Sequence, residues 1–362
     1  MKKTVKISII IPVYNGVPFI KRCFDRLIKQ NFKETFEIII VNDSSTDKSI
    51  EIIKKYKLPN LKIFSLPKNS GQSVARNVGI KKSAGEYIFF QDIDDLISQN
   101  TLTTLYKTAK KNNCDMVCSD FKRIEKIKNQ RKGRYNYKTN LVLNYNKITE
   151  KMIQELYDPT LGHLGIFGCN GRLIRRSIII KNRIFFEEKM RLIEDKIFGW
   201  NLLSFCNKIF YVRKQLYTYY VNPKISTALT DSLNYGFGFK TVKLILFHIK
   251  KSLKRRGLSK IELKKCYQQG LIFFSIHALI TISRPMFLGK ISFNIAKKIR
   301  KNIINEMFGD KNISKAIKKY VPSNQESSLI PRAIILKSRI LLEQACDSRA
   351  KETIEMRRKG KV

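Results

Sequence analysis

Four short, very apolar runs separated by amphipathic helical patterns constrain this chain more than any other feature. Lys6–Ile11 (Lys-Ile-Ser-Ile-Ile-Ile), Phe36–Val41, Leu61–Leu66 and Glu86–Phe90 read as strands. Between and after them, 17–29, 49–56, 73–82 and 101–112 carry apolar residues at helical spacing, as at Phe19, Ile20, Cys23, Phe24, Leu27 and Ile28. Strands this apolar, alternating with helices, bury both faces. The expectation is an α/β fold: a mostly parallel nucleotide-binding sheet with helices on both faces.

In such sheets ligands bind at the carboxyl ends of the strands. All four ends are polar here. They read Pro12-Val13-Tyr14-Asn15, Asn42-Asp43-Ser44-Ser45-Thr46-Asp47, Asn69-Ser70-Gly71-Gln72-Ser73-Val74-Ala75-Arg76-Asn77 and Gln91-Asp92-Ile93-Asp94-Asp95. The last cluster carries the most information. Three carboxylates within four residues repel one another, and a hard divalent cation, Mn2+ or Mg2+, would neutralise them and bridge to a diphosphate. A helix N-cap with extra acids in the first turn explains Asp94 or Asp95 but not the triplet. Asp43 is read either as part of the cap of the helix starting near Ser49 or as an acceptor for a base or ribose. Arg76, behind Gly71 in the first turns of a helix, is read either as a solvated surface residue or as a partner for diphosphate oxygens.

These four motifs, in this order and spacing, resemble the family 2 glycosyltransferases of the GT-A fold. The resemblance is strong over residues 5–120 and weaker over 165–228. It implies that Pro12, Tyr14 and Asn15 line the nucleotide pocket, that Asp43 bonds the base, and that Gly71 and Arg76 lie near ribose and diphosphate. It makes Asp92 and Asp94 an Asp-x-Asp pair, Asp94 the principal metal ligand and Asp92 nearer the ribose, with Asp95 orienting them. A second match, Arg191-Leu192-Ile193-Glu194-Asp195, is similar to the family's Glu-Asp motif, in which Asp195 is the catalytic base beside Glu194. Relatives usually have Gly at the place of Ile193, so a different local turn is expected. The 219–227 segment looks like the loop closing over the diphosphate, with Lys224 standing in for an Arg common after the tyrosines. Asn170, between Cys169 and Gly171, lies where the resemblance places the acceptor side. The Gln-x-x-Arg-Trp motif of processive synthases is absent.

The resemblance therefore implies metal-dependent, inverting transfer of a single sugar from a nucleotide-sugar, a UDP-sugar by expectation. The acceptor would be a glycan or a polyprenyl-diphosphate-linked glycan in surface or capsular polysaccharide assembly. Two rivals stand beside this. A nucleotidyltransferase would need a Gly-rich triphosphate loop after the first strand, which Pro12–Gly16 does not provide. A non-catalytic protein could use the same fold to bind nucleic acid or an anionic membrane.

Charge gives that last rival its force. The 362 residues include 71 Lys and Arg against 29 Asp and Glu, a net +42, and residues 232–362 alone hold 29 against 8. A field of that size attracts polyanions. No aromatic-basic signature of an RNA module accompanies it, so no specific nucleic acid is expected. The seven cysteines show no zinc spacing and are read as reduced thiols. No signal peptide is evident, and the longest apolar stretch, 271–282, is too short to span a bilayer. The expected location is the cytoplasm, with the basic C-terminal part able to lie on the inner face of the membrane. The expected organisation is 1–120 as the donor-binding half, 121–231 as the acceptor-side half and 232–362 as a basic helical region. Residues 122–150 are read as a hairpin or loop, and the clearest C-terminal helices as Glu262–Ile282 and Ile291–Phe308. A break is expected at Pro322–Pro331.

Overall fold

The computed structural model describes residues 4–125, 130–132, 139–157, 166–190, 193–221, 238–289, 291–320 and 329–358. The chain divides into two compact units, Met1–Ile148 with His163–Lys224, and Thr149–Gly162 with Ile225–Val362.

The first unit is built on one mixed sheet of ten strands. β1 (Ile7–Val13) lies between β2 (Phe36–Asn42) and β4 (Tyr87–Phe90), with β3 (Leu61–Ser65) beyond β2, and all three ladders are parallel. The expected strands thus form one parallel block. Side chains alternate across it as strand geometry requires. Ile7, Ile9, Ile11 and Val13 join a fully buried cluster with Ile20, Cys23, Phe24 and Leu27 of α1 (Val17–Ile28) and Leu102, Leu105 and Ala109 of α4 (Thr101–Asn112). Ile10 faces the other way, toward α3 (Gln72–Lys82), which packs on β1 and β2. A Cβ on Gly79 would stand 2.3 Å from Ile10 Cγ2, so helix and strand approach this closely only because residue 79 is glycine. The short α2 (Ser49–Lys54) follows β2.

Beyond β4 the sheet becomes mixed. β9 (Leu173–Arg175) runs antiparallel to β4 and to β6 (Met116–Glu125), and β10 (Lys208–Val221) runs parallel to β6. β5 (Leu96–Ile97) and β8 (Leu141–Asn144) pair antiparallel with β10, and β7 (Gln130–Lys132) with β6. The polar stretch 122–150 therefore contributes the hairpin β6–β7, the strand β8 and the start of α5 (Tyr145–Tyr157). Two further helices, α6 (Arg176–Lys181) and α7 (Glu194–Leu203), complete the unit.

The second unit is helical: α8 (Phe239–Arg255), α9 (Lys260–Phe287), α10 (Phe293–Gly309), α11 (Lys311–Ala316), a 3-10 turn (Ile317–Lys319), α12 (Leu329–Ile335) and α13 (Arg339–Arg358). From Leu271 to Ile280 every residue of α9 except His277 is buried, so this helix forms the core, against α8, α10 and α13. It runs five residues beyond the expected end at Ile282. The expected break extends to Pro331, but Pro331 sits in the first turn of α12, where its missing N–H has no helical partner to lose. No described helix is long and apolar enough to cross a membrane. All seven cysteines are buried and none is in a disulfide.

Candidate active site

One buried acid of the first unit serves as a reference. Glu37 accepts bonds from Ser8 Oγ (2.5 Å), Lys62 Nζ (2.6 Å) and the Ala84 amide (2.7 Å). Burial alone would raise its pKa, but these donors outweigh it and hold the carboxyl below the usual range. Glu37 is fully satisfied and purely structural. The acids at the other end of the sheet are not.

Asp92, Asp94 and Asp95 follow β4, and carboxylate oxygens of all three lie within 4.8 Å of one another. Asp95 is fully buried. Its Oδ2 accepts from the Tyr217 hydroxyl at 2.7 Å and its Oδ1 from the Tyr220 amide at 3.0 Å, both on β10. Burial still pushes its pKa well up, and Asp92 and Asp94 push it further. Asp92 is clamped: Oδ1 by Arg76 Nη2 at 2.8 Å, Oδ2 by Asn170 Nδ2 at 2.5 Å. Asp94 has no cation and no side-chain donor on its carboxylate among the described residues, although Arg22 bonds its main-chain carbonyl. Burial and the Asp92 charge raise its pKa to about 6. A half-buried carboxylate left in that condition, beside two others, fits a bound divalent cation and fits a helix cap poorly.

The strand-end loops are tied to one another. Asn15 has φ 50° and its Oδ1 accepts from the Thr46 and Asp47 amides at 2.8 and 3.3 Å. Tyr14 beside it is half exposed and Pro12 is half buried. Asp43 does not cap α2; the Ser49 amide that opens the helix donates instead to Asp47 Oδ1 at 3.0 Å. Asp43 is buried and accepts instead from the Ser70 and Gly71 amides at 2.6 and 2.8 Å, pinning the turn before α3. Gly71 takes φ 90° there, a conformation that favours glycine.

One face of α3 fastens the segment leading into α7. Asn77 bonds the Phe186 carbonyl and amide at 2.9 and 2.8 Å, Ser73 donates to the Met190 carbonyl at 3.3 Å, and Gln72 donates to Glu194 Oε1 at 2.6 Å. Arg76 completes the row. It is 2% exposed, which excludes the solvated surface reading, and it pairs with Asp92 at 2.8 Å and Glu194 at 3.3 Å. Both terminal nitrogens of the residue expected at the diphosphate thus lie on carboxylates. Through them the acids after β4 and those opening α7 share one cation.

Glu194 is buried, and burial followed by the neighbouring Asp195 raises its pKa to about 7 against the opposing pull of Arg76. Asp195 is half-buried and its Oδ1 accepts from the Lys196 amide at 2.7 Å. Ile193, the N-cap residue just before the helix, adopts φ 64° and ψ 11°, a left-handed conformation suited to glycine. The different local turn expected from an isoleucine is therefore not what forms: the left-handed turn is kept with a β-branched residue in it. Arg191, Leu192 and Lys224 lie outside the described residues.

Comparison with known proteins bears on the fold and the family. Residues 8–183 match the family model for glycosyl transferase family 2, which places this part of the chain in that family. It is 31% identical over 230 residues to the uncharacterized glycosyltransferase EpsJ of Bacillus subtilis strain 168, covering 62% of this chain and 63% of that one. It is 34% identical over 220 residues to the poly(ribitol-phosphate) beta-N-acetylglucosaminyltransferase TarP of Staphylococcus aureus strain N315, covering 60% and 62%. The matches thus span less than two thirds of these relatives' lengths. The crystal structure of S. aureus TarS 1–349 in complex with UDP-GlcNAc superimposes with a TM-score of 0.69 at 20% identity, over 96% of this chain and 92% of that one. The fold is the GT-A fold.

Two residues of the site escaped sequence reasoning. Tyr217 lies in a strand with no motif around it. Gln72 was visible in its motif, but nothing local says that it reaches a carboxylate 122 residues away.

Proposed function

We propose that the chain transfers a single sugar from a nucleotide-diphosphate sugar, UDP-linked, to an acceptor hydroxyl with inversion at the anomeric carbon. One observation carries the reading: the open carboxylate of Asp94 and the Glu194–Asp195 pair stand at one end of the sheet, joined through Asp92 and Arg76. Asp94, with Asp92 and Asp95, offers the hard oxygen donors that Mn2+ or Mg2+ takes. Bound there, such an ion would supply positive charge against the departing diphosphate.

The remaining roles fall to the chain's own groups. Asp195 accepts the proton of the acceptor hydroxyl as that oxygen bonds to the anomeric carbon. The bond from that carbon to the diphosphate oxygen breaks, and the nucleoside diphosphate leaves on the opposite face. Glu194, held by Gln72 and Arg76, fixes where Asp195 projects. Tyr14, Pro12 and Asn15 flank the nucleotide, Asp43 and Gly71 shape the loop beside its base and ribose, and Lys224 contributes from the 219–227 segment. Residues 1–120 supply the donor half, 121–231 the acceptor side and 232–362 the basic helical region. The UDP-GlcNAc held by TarS supports a UDP-linked donor. TarP acts on poly(ribitol-phosphate) by its name, which supports a cell-surface glycan as the acceptor class. A polyprenyl-diphosphate-linked acceptor at the inner membrane face suits the same basic chain.

The test is a thermal-shift series with UDP, GDP and their sugars, with and without Mn2+, on the native chain and on Asp94→Asn. A cation-dependent rise with UDP compounds, lost in Asp94→Asn, is expected. A folded native protein whose melting temperature no nucleotide moves would overturn the proposal.

A further inference from the structure

The corner between α12 and α13 presents aliphatic side chains to solvent on a rigid turn. Ile335, Leu336 and Ile340 are 56%, 61% and 70% exposed. The turn is a closed one. The Lys337 amide bonds the Ile334 carbonyl and the Ser338 amide the Ala333 carbonyl, with Lys337 at φ 47°, the pattern of a Schellman cap. Ser338 Oγ then accepts from the Leu341 amide, starting α13 at once. Beneath, Ile330, Ala333, Ile334 and Leu342 are buried. The chain therefore has apolar residues enough for its core and places three more outside it, on backbone that cannot fold them inward.

The surroundings are basic. Lys337 and Arg332 are exposed on the same corner, and the 3-10 turn carrying the exposed Lys318 and Lys319 packs against α12. None of these four forms an ion pair among the described residues. From Lys311 to Leu342 the sequence has seven Lys and Arg and one acid, Glu326.

We infer that this corner is a membrane-docking element, with Ile335, Leu336 and Ile340 entering the headgroup–acyl boundary of an anionic bilayer and Lys318, Lys319, Arg332 and Lys337 meeting its headgroups. A bilayer of anionic phospholipid rewards both halves of the patch. A nucleic acid or anionic glycopolymer gains from the cations and nothing from exposed aliphatics. A second copy of this chain would gain from the aliphatics but bring two +42 chains together. The inference is independent of sugar transfer and is tested without it.

The experiment is co-sedimentation of the full chain with vesicles of phosphatidylcholine alone or with about one third phosphatidylglycerol. The native chain is expected on the anionic vesicles only. Lys318→Glu with Lys319→Glu should weaken binding more than tenfold, since each cation lost is worth about fivefold. Leu336→Ser with Ile340→Ser should weaken it about tenfold or more. Both pairs are at the surface, and unchanged melting temperatures check that they fold. Leu336→Trp provides a readout on an otherwise native chain, because Trp200 is buried and its emission stays fixed. The new indole should shift to the blue on anionic vesicles. Equal binding to neutral vesicles, or none, overturns the inference. So does an aliphatic pair that binds as the native chain does, which marks a polyanion site, or one that halves the sedimenting mass, which marks a self-association face.

Discussion

The Tyr217 hydroxyl donates to Asp95 Oδ2 at 2.7 Å, fastening β10 to the acidic turn after β4 across 122 residues of sequence. Asp95 is fully buried, and among the described residues the only other donor to its carboxylate is the Tyr220 amide. Removing the hydroxyl leaves a buried carboxyl oxygen with an unmet bond. Tyr217→Phe is expected to destabilise the protein by about 1–3 kcal/mol, read by urea denaturation. It should also weaken nucleotide-dependent thermal shifts, because Asp92 and Asp94 flank the same turn. Unchanged stability would show that Asp95 is satisfied in another way.

Ile193 carries local strain. A β-branched residue at φ 64° is disfavoured by about 1–2 kcal/mol, which glycine avoids at the smaller expense of a freer unfolded chain. Ile193→Gly is expected to raise stability by roughly 0.5–1 kcal/mol and Ile193→Ala to leave the strain in place. A melting temperature lowered by the glycine would mean that the Ile193 side chain contributes packing worth more than the strain.

Glu194 gives stability a pH dependence of definite sign. Its folded pKa is raised to about 7, chiefly by burial, above the ordinary 4.5. The folded state therefore holds its proton more tightly than the unfolded state. Its contribution is fully present below the unfolded value and is lost as pH rises through about 7. Stability of the cation-free protein should fall between pH 4.5 and 7, and Glu194→Gln should flatten that slope. An identical slope in the variant would assign the effect to other groups. Asp94 acts in the same direction, which is why the comparison uses the variant rather than the native curve alone.

Asp195→Asn separates chemistry from binding. Loss of a general base lowers turnover by roughly 100- to 10,000-fold. Because Asp195 accepts only the neighbouring Lys196 amide among the described residues, the fold should survive. The expected outcome is a nucleotide-dependent thermal shift like the native one with transfer nearly abolished. Transfer at the native rate would remove Asp195 from the role of base.

Much of the donor half was legible before any coordinates. Ile9 to Ile11, Ile38 to Val41 and Ile88 to Phe90 are apolar enough to demand burial on both faces, and alternation with helices leaves a parallel block as the ready solution. The acidic turn was legible for the opposite reason: crowding like charges has no local benefit, so Asp92, Asp94 and Asp95 stand out as a candidate cation site. Beyond β4 the sequence signal weakens. β8, β9 and β10 depend on partners far along the chain, and β10 mixes Arg, Lys, Gln, Thr and Tyr without a clean period.

The sequence by itself determined the fold class, the edge of the sheet at which chemistry belongs and the acids that stand there, because strand patterning and charge crowding are local properties. Only the tertiary structure decided what those acids do to one another. That Arg76 is shared between Asp92 and Glu194, that Asp43 holds a turn rather than capping a helix, that Ile193 keeps a glycine-like turn, and that Asp94 alone of its triplet has no side-chain donor on its carboxylate among the described residues are facts of long-range packing. Each depends on which distant group burial brings within hydrogen-bonding reach, and no spacing along the chain records that.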